Sequence, residues 1–387
     1  MILICGDLVP TKSNESLFAS EKLDTLIGEG LQDLLNQACY RIANLEVPIV
    51  DSLTPIPKHG PNLCTIRDTL SGISRMHIDL LSMANNHIYD HGEKGLKTTL
   101  DAVSAAGIAH VGAGMDIEQA NSPTFFEVNG KRVGIFSCAE HEFSIADEHQ
   151  PGAAPFDPLE TPDWIATIKK TCDMLVVLYH GGKEYYRYPS PMLQKTCRKL
   201  VEKGADLVVC QHSHCIGCYE RYRGASIVYG QGNFIFDDDD NEFYKTGLII
   251  GLDEQANVNF YPIMKYGCCV RLAVDKEKQE ILNAFEKRSL EIKQPGFIEQ
   301  QYRQFAEKML ISYARGLKDM KRPFMYRMIN KVCHGALDQM RAERYLHARC
   351  LQVMNMVDCE AHRELLLHGL KEWAKAKKGT EKPIDTK

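Results

Sequence analysis

No stretch of this sequence reaches the run of about 18 apolar residues that a membrane-spanning helix needs. The beginning, Met1–Asp7, has no basic leader and soon turns polar, which is typical of a buried strand and not of a secretion signal. Cysteine is sparse, with 14 in 387 residues scattered through apolar runs, and this excludes a small disulfide-rich scaffold. We therefore expect a globular, cytoplasmic protein with no transmembrane segment.

Several familiar catalytic and cofactor signatures are also missing. The chain has no Gly-x-Ser-x-Gly turn, which the serine hydrolases of the α/β class carry. Cys215-x-x-Cys218 has no second pair with which to bind zinc, and Gly112-x-Gly114 lacks the third glycine of a dinucleotide-binding turn. The acidic run Asp237–Asp240 is predicted to be a solvated loop. A serine nucleophile, a thiol redox pair and a bound dinucleotide therefore find no support.

Charge is divided unevenly along the chain. Residues 1–287 carry 26 Lys and Arg against 39 Asp and Glu, whereas residues 288–387 carry 20 against 12. The acidic first part is unsuited to a long polyanion, so we exclude duplex nucleic acid as a partner. The basic second part could contact an anionic surface, dock on the acidic part, or simply be solvated.

Short apolar runs alternate with helix-period stretches over the first 250 residues, as in α/β proteins. The predicted strands are Met1–Cys5, Arg41–Leu45, Leu80–Ala84, His110–Gly112, Arg132–Ser137, Met174–Tyr179, Asp206–Cys210 and Ser226–Tyr229. The predicted helices include Glu93–Ala106, Pro191–Lys203, Phe305–Leu317 and Arg341–Met356. We predict an α/β domain over residues 1–290 and an all-helical, basic region over residues 291–387, with its last ten residues disordered.

Residue types that bind metals follow the predicted strands. In chain order they are Asp7, Glu46, Asn86 with His87 and Asp90, His180, and His212 with His214. Ligands of α/β sheets bind outside the carboxyl ends of the strands, so we predict one crevice at the carboxyl edge of one sheet. Carboxylate, imidazole and amide donors suit Zn²⁺, Mn²⁺ or Fe²⁺.

The same residues resemble the motifs of the CapA-like (poly-γ-glutamate capsule synthesis) family of the calcineurin-like metallophosphoesterase superfamily. The similarity covers about residues 1–252, and its motifs are Gly6-Asp7, Asn44-Leu45-Glu46, Ala84–His87 with Asp90, His180-Gly181 with Glu184-Tyr185, Gln211–His214 and Tyr229–Phe234. It implies a layered sheet flanked by helices. Two positions depart from the pattern: Val9 stands where ordinary metallophosphoesterases have a histidine, and Gln211 replaces a glycine.

The resemblance implies a metal-dependent hydrolase. One or two divalent ions (Mn, Zn or Fe) would be held by Asp7, Glu46, Asn86, His180, His212 and His214, and His87 and Asp90 would be catalytic. The substrate would be a phosphoester or a γ-glutamyl amide, small or polymeric, and the sequence does not choose between them. The alternative is a non-enzymatic accessory protein that binds the capsule polymer or its synthase; a nucleotide or nucleic-acid phosphodiesterase is a third hypothesis.

Overall fold

The computed structural model describes residues 1–20, 25–236, 241–317, 323–359, 361–363, 365–367 and 369–370. It divides into two compact units, Met1–Gln300 and a second unit that begins at Gln301. The predicted division after residue 290 stays a prediction. The predictions for Asp237–Asp240 and for the last ten residues lie outside the described residues.

The elements of the first unit, in chain order, are β1 (Ile2–Leu8), α1 (Glu15–Ala19), α2 (Glu29–Gln37), β2 (Tyr40–Leu45), α3 (Thr69–Arg75), β3 (Leu80–Ser82), α4 (Gly92–Ala105), β4 (Ala109–Val111), β5 (Ala113–Gly114), α5 (Ile117–Ala120), β6 (Thr124–Val128), β7 (Lys131–Ala139), β8 (Gly152–Ala153), α6 (Thr161–Lys169), β9 (Met174–His180), α7 (Pro191–Glu202), β10 (Leu207–Gln211), β11 (Ile216–Tyr222), β12 (Ala225–Gln231), β13 (Asn233–Ile235), β14 (Thr246–Leu252), β15 (Val258–Tyr266), β16 (Cys269–Leu272) and α8 (Asp275–Glu291). Helix α9 (Phe297–Leu317) begins in the first unit, and α10 (Phe324–Val332) and α11 (Ala336–Asp358) belong to the second.

Two large sheets form the first unit. The first has the order β16-β15-β14-β1-β2-β3-β4, with β13 beside the end of β1, and the second has the order β11-β12-β10-β9-β7-β6. Strands β1 to β4 run parallel, as do β7, β9, β10 and β12. The carboxyl ends of each parallel set therefore lie at one edge of its sheet.

The sheets pack face to face because alternate side chains of each strand point to opposite sides. Ile4 of β1 shares a buried cluster with Val176 and Leu178 of β9, between the sheets. The neighbouring Leu3 packs in another cluster with the helices α2 and α4, and Val177 packs with α6 and α7. The layers are therefore helix, sheet, sheet and helix, and strands covered on both faces explain the continuous apolar runs.

The structure confirms the α/β class and the helical C-terminal region. It also shows strands that the sequence analysis did not predict: the short β5, β8 and β13, and the antiparallel β6, β11, β14, β15 and β16. The expectation of a single sheet for the crevice was wrong, because its residues follow strands of both sheets. Pairing between distant strands leaves no local pattern from which two sheets could be told from one.

Candidate metal centre

Two buried carboxylates lie at the end of adjacent parallel strands. Asp7 is near the end of β1 and Glu46 directly follows β2; both are essentially inaccessible to solvent. The Asn44 amide donates a hydrogen bond of 2.8 Å to Asp7 Oδ1. Gly6 is required beside them, because a Cβ there would lie 2.1 Å from the carbonyl oxygen of Gly232. The backbone thus brings β13 against β1 at the site.

Three buried imidazoles come from the second sheet. His180 ends β9, and His212 and His214 follow β10. Gln211, the last residue of β10, pairs with His180, and this pairing places the two later histidines beside His180. His180 Nε2 lies 3.1 Å from His212 Nδ1 and 3.5 Å from Glu46 Oε1. His214 Nδ1 lies 3.5 Å from Asp7 Oδ2 and 2.9 Å from Asn233 Oδ1. The two sheets therefore meet at this cluster.

The backbone at the two later histidines is strained. The φ angles of His212 and His214 are +83° and +52°, in the left-handed region that residues with a Cβ seldom adopt. Such conformations persist only where the surroundings enforce them, and they concentrate at functional sites. The strained turn leaves both rings in the cluster although one residue separates them.

The donors form two groups that share Glu46. Glu46, His180 and His212 make the first group, and Asp7, Glu46 and His214 make the second; within each group one ligand atom per residue lies within 4.8 Å of the others. The Asn86 amide oxygen lies 3.0 Å from His180 Nε2, so this predicted ligand adjoins the first group. The arrangement suits two neighbouring ions with Glu46 between them.

The donor set fits a divalent cation. Within the described part of the chain, neither carboxylate oxygen of the fully buried Glu46 has a hydrogen-bond partner. Buried polar atoms are nearly always paired, and a carboxylate is the costliest to leave alone. Oxygen and imidazole nitrogen donors are also those that Zn²⁺, Mn²⁺ and Fe²⁺ accept.

The pKa values of the buried carboxylates and imidazoles are shifted in different directions. Burial and the neighbouring Glu46 raise the pKa of Asp7. Burial alone would raise the pKa of Glu46 too, but the imidazoles of His180 and His214 outweigh it and lower this pKa. Burial lowers the pKa of His214, but the carboxylates of Glu46 and Asp7 outweigh burial and raise this pKa to about 9. Burial and the other imidazoles lower the pKa of His212. Without a cation, the second group thus retains a proton.

The predicted catalytic pair is in contact. His87 Nδ1 lies 2.7 Å from Asp90 Oδ2, and the Leu63 amide donates a 2.6 Å hydrogen bond to the same oxygen. Lys58, whose side chain is only 4% exposed, pairs with Asp90 and lies 3.2 Å from His87 Nδ1. The neighbouring residue Asn86 contacts His180, so the pair adjoins the ligand cluster.

The two departures from the family pattern have structural explanations. Val9, directly after β1, is buried in the apolar core, and its backbone amide donates a 2.7 Å hydrogen bond to the carbonyl oxygen of Ile235 at the end of β13. Gln211 reaches towards Cys5 and Gln231 with contacts of 3.5 and 3.4 Å. Gln211 thus links the two sheets beneath the ligand cluster.

Sequence reasoning missed two residues of the site. Glu142, three residues beyond β7, contacts Asn86 at 3.4 Å and His212 at 3.8 Å. Its position after a parallel strand is the same signal that identified the others, so it could have been found. Lys58 lies on a loop far from any predicted strand, and nothing in the sequence singles it out.

Comparison with models of protein families identifies the family to which the chain belongs. The model for "Bacterial capsule synthesis protein PGA_cap" matches residues 1–238, more than half of the chain. This chain belongs to the PGA_cap family. The match includes every strand end that supplies the cluster, and it confirms the CapA-like family expected from the motifs.

Curated relatives carry names from the same field. "Capsule biosynthesis protein CapA" of Bacillus anthracis is 28% identical over 254 residues, which is 59% of this chain and 62% of the relative. "PGA biosynthesis protein CapA" of Bacillus subtilis is 32% identical over 237 residues, covering 60% and 62%. The PGA_cap chain thus spans less than two thirds of the length of both relatives.

A solved 5'-nucleotidase precursor from Thermus thermophilus is 16% identical, with a TM-score of 0.39 over 74% of this chain and 58% of its own. Similarity at this level supports no conclusion about activity. Within the described ranges, the structure contains no helix whose length and apolar character would let it span a bilayer. The expected cytoplasmic location stays a prediction.

Proposed function

We propose that this PGA_cap family member is a metal-dependent hydrolase whose centre binds one or two divalent ions. The observation that carries the proposal is Glu46, a fully buried carboxylate that has no hydrogen-bond donor among the described residues and lies between two histidine groups. A divalent cation would satisfy its oxygens. No lysine or arginine contacts it in the part of the chain that the structure describes, and the 3.5 Å contact from His180 Nε2 comes from another candidate ligand.

The candidate ligands would bind the two ions according to the two groups that they form. Glu46, His180, His212 and Asn86 would hold one ion, and Asp7, Glu46 and His214 the other. A divalent ion bound here would activate water near neutral pH and polarise the bond under attack. Val9 supplies no ligand to the second group, so the first should be the tighter.

His87 would hold the proton that the leaving group needs. Asp90 accepts from Nδ1 of His87 and fixes the ring, which leaves Nε2 for proton transfer. The ammonium of Lys58 compensates the buried charge of Asp90. His87 would thus transfer the proton, with Asp90 and Lys58 supporting its ring from one side.

The substrate would be a phosphoester or a γ-glutamyl amide. The metallophosphoesterase-like donor set supports the first, and the family, with its capsule and poly-γ-glutamate names, supports the second. The same names support a second candidate, a non-enzymatic accessory protein in polymer synthesis, since both relatives are described by biosynthesis and not by hydrolysis.

Metal analysis and turnover on the same preparations test the proposal. We expect bound Zn, Mn or Fe in the purified protein, and hydrolysis of bis(p-nitrophenyl) phosphate or of γ-glutamyl-p-nitroanilide. His212→Ala should lose metal and turnover, while His110→Ala, on β4 and outside both ligand groups, should keep them. Bound metal without turnover of either compound would favour the accessory role, and absence of metal binding would refute the proposed centre.

A further inference from the structure

The helix α10 of the second unit presents an unusual outer face. Five of its apolar residues are between 50% and 76% exposed, namely Phe324, Met325, Met328, Ile329 and Val332. At about 100° per residue they occupy one continuous arc of about 140°. The helix thus exposes the face that a helix in a water-soluble protein would normally bury.

Polar contacts hold the opposite face. The Tyr326 hydroxyl donates a 2.8 Å hydrogen bond to Asp338 at the start of α11, and Asn330 accepts one of 3.1 Å from the Asp338 amide. The guanidinium of Arg341 lies 5.0 Å from the centre of the Tyr326 ring. Helix α10 is therefore oriented by its polar side, which directs its apolar side outwards.

Basic residues border the apolar arc. Arg327 and Lys331 follow it on the helix surface, one turn apart. On α11 the exposed Met340, Leu351 and Met354 share a stripe with the exposed Arg344. From Gln301 to the end the sequence carries 18 Lys and Arg against 10 Asp and Glu. The sequence that carries the exposed apolar face is therefore predominantly basic.

We infer that the apolar face of α10, with its basic border, binds the surface of an anionic phospholipid membrane. Helices that lie in a membrane interface combine an exposed apolar face with lysine and arginine beside it. An anionic surface attracts those charges and receives the apolar side chains at the boundary of headgroups and acyl chains. A second copy of the chain is disfavoured, because a symmetric contact would bring like charges together.

Vesicle sedimentation of the 387-residue chain tests this inference. We expect binding to vesicles of phosphatidylcholine and phosphatidylglycerol in equal parts, little binding to phosphatidylcholine alone, and weaker binding at high salt. Phe324→Glu/Met328→Glu should reduce binding to the anionic vesicles by at least about tenfold, because both changes place charge on the exposed arc that would enter the membrane interface. Leu159→Glu, at an 83% exposed apolar position of the first unit, is the matched control and should not reduce it.

A milder variant keeps the test valid if the double glutamate variant misfolds. Arg327→Gln/Lys331→Gln retains good helix formers and should weaken anionic binding without changing the circular dichroism spectrum. The inference is overturned if the wild-type protein ignores anionic vesicles or if neither double variant weakens binding. It is also overturned if light scattering shows a dimer that Phe324→Glu/Met328→Glu dissociates, since a second copy would then cover the face.

Discussion

Glu46→Gln is the sharpest perturbation of the proposed centre, because Glu46 is the residue that both ligand groups share. The amide keeps the size of the side chain but removes the charge that two cations would share. We therefore expect this single change to abolish binding at both positions. Asp7→Asn, by contrast, affects only the second group, so one ion should remain.

The expected size of the effect follows from mass action and from the size of the unit. An ion present at 100 times its Kd stabilises the folded state by about 2.7 kcal/mol. A cooperative unit of 300 residues unfolds with an entropy near 0.6 kcal/mol/K, so one ion should raise Tm by about 4 °C and two by about 9 °C. Glu46→Gln should reduce the metal-induced shift to under about 2 °C, and Asp7→Asn to about 4 °C.

Thermal unfolding with and without added metal, together with elemental analysis, measures these shifts. Glu118→Gln is the matched control, because Glu118 is an exposed carboxylate on α5 and should keep the full shift. Using the difference between metal-loaded and metal-free protein removes any effect of the substitution on the metal-free fold. A Glu46→Gln protein that keeps two ions and the full shift would refute the shared-ligand arrangement.

Three further predictions concern other parts of the molecule. His87→Ala should keep its metal and lose about 10²–10⁴-fold in turnover, most with poor leaving groups; unchanged turnover in the metal-loaded variant would remove His87 from the mechanism. Truncation after Gln300 should leave metal stoichiometry unchanged by elemental analysis, whereas truncation after residue 290 should lower Tm, because Ile292 and Ile298 are buried in the core of the first unit. The pKa of His214 is raised to about 9 in the metal-free site, so metal binding at pH 7 should release a proton and should tighten as the pH rises towards 9. Calorimetry in buffers of different ionisation enthalpy would detect the released proton. Equal heats of binding in those buffers would contradict the prediction.

The sequence predicted the residues of the crevice better than the architecture around them. Asp7, His180 and His212 could be found because a parallel strand covered on both faces ends abruptly in polar residues. The arrangement of the strands in two sheets could not be found in this way. Strand pairing joins distant residues, such as Gln211 and His180, which are 31 positions apart, and it leaves no local pattern in the sequence. The partnership of Lys58 with Asp90 likewise depends on a loop path that only tertiary packing fixes.

The unpredicted strands illustrate a related limit. Strand β14 has the same apolar composition as the predicted strands, but it runs antiparallel to β1 and ends in no ligand residue. The search for strands that deliver ligands had no reason to select it. Its place beside β1 is set by competition among all strands for the available edges, which is a property of the whole chain.

The position of β1 also bears on how the protein is made. This first strand lies between β2 and β14, so one of its edges stays unpaired until Leu252 has left the ribosome. At about 5–20 residues per second, this interval lasts roughly 12–50 s. During that time an apolar strand presents an open edge, which is a template for pairing with another chain. The first sheet can therefore close only late in synthesis, after every residue of the candidate ligand cluster has already been made.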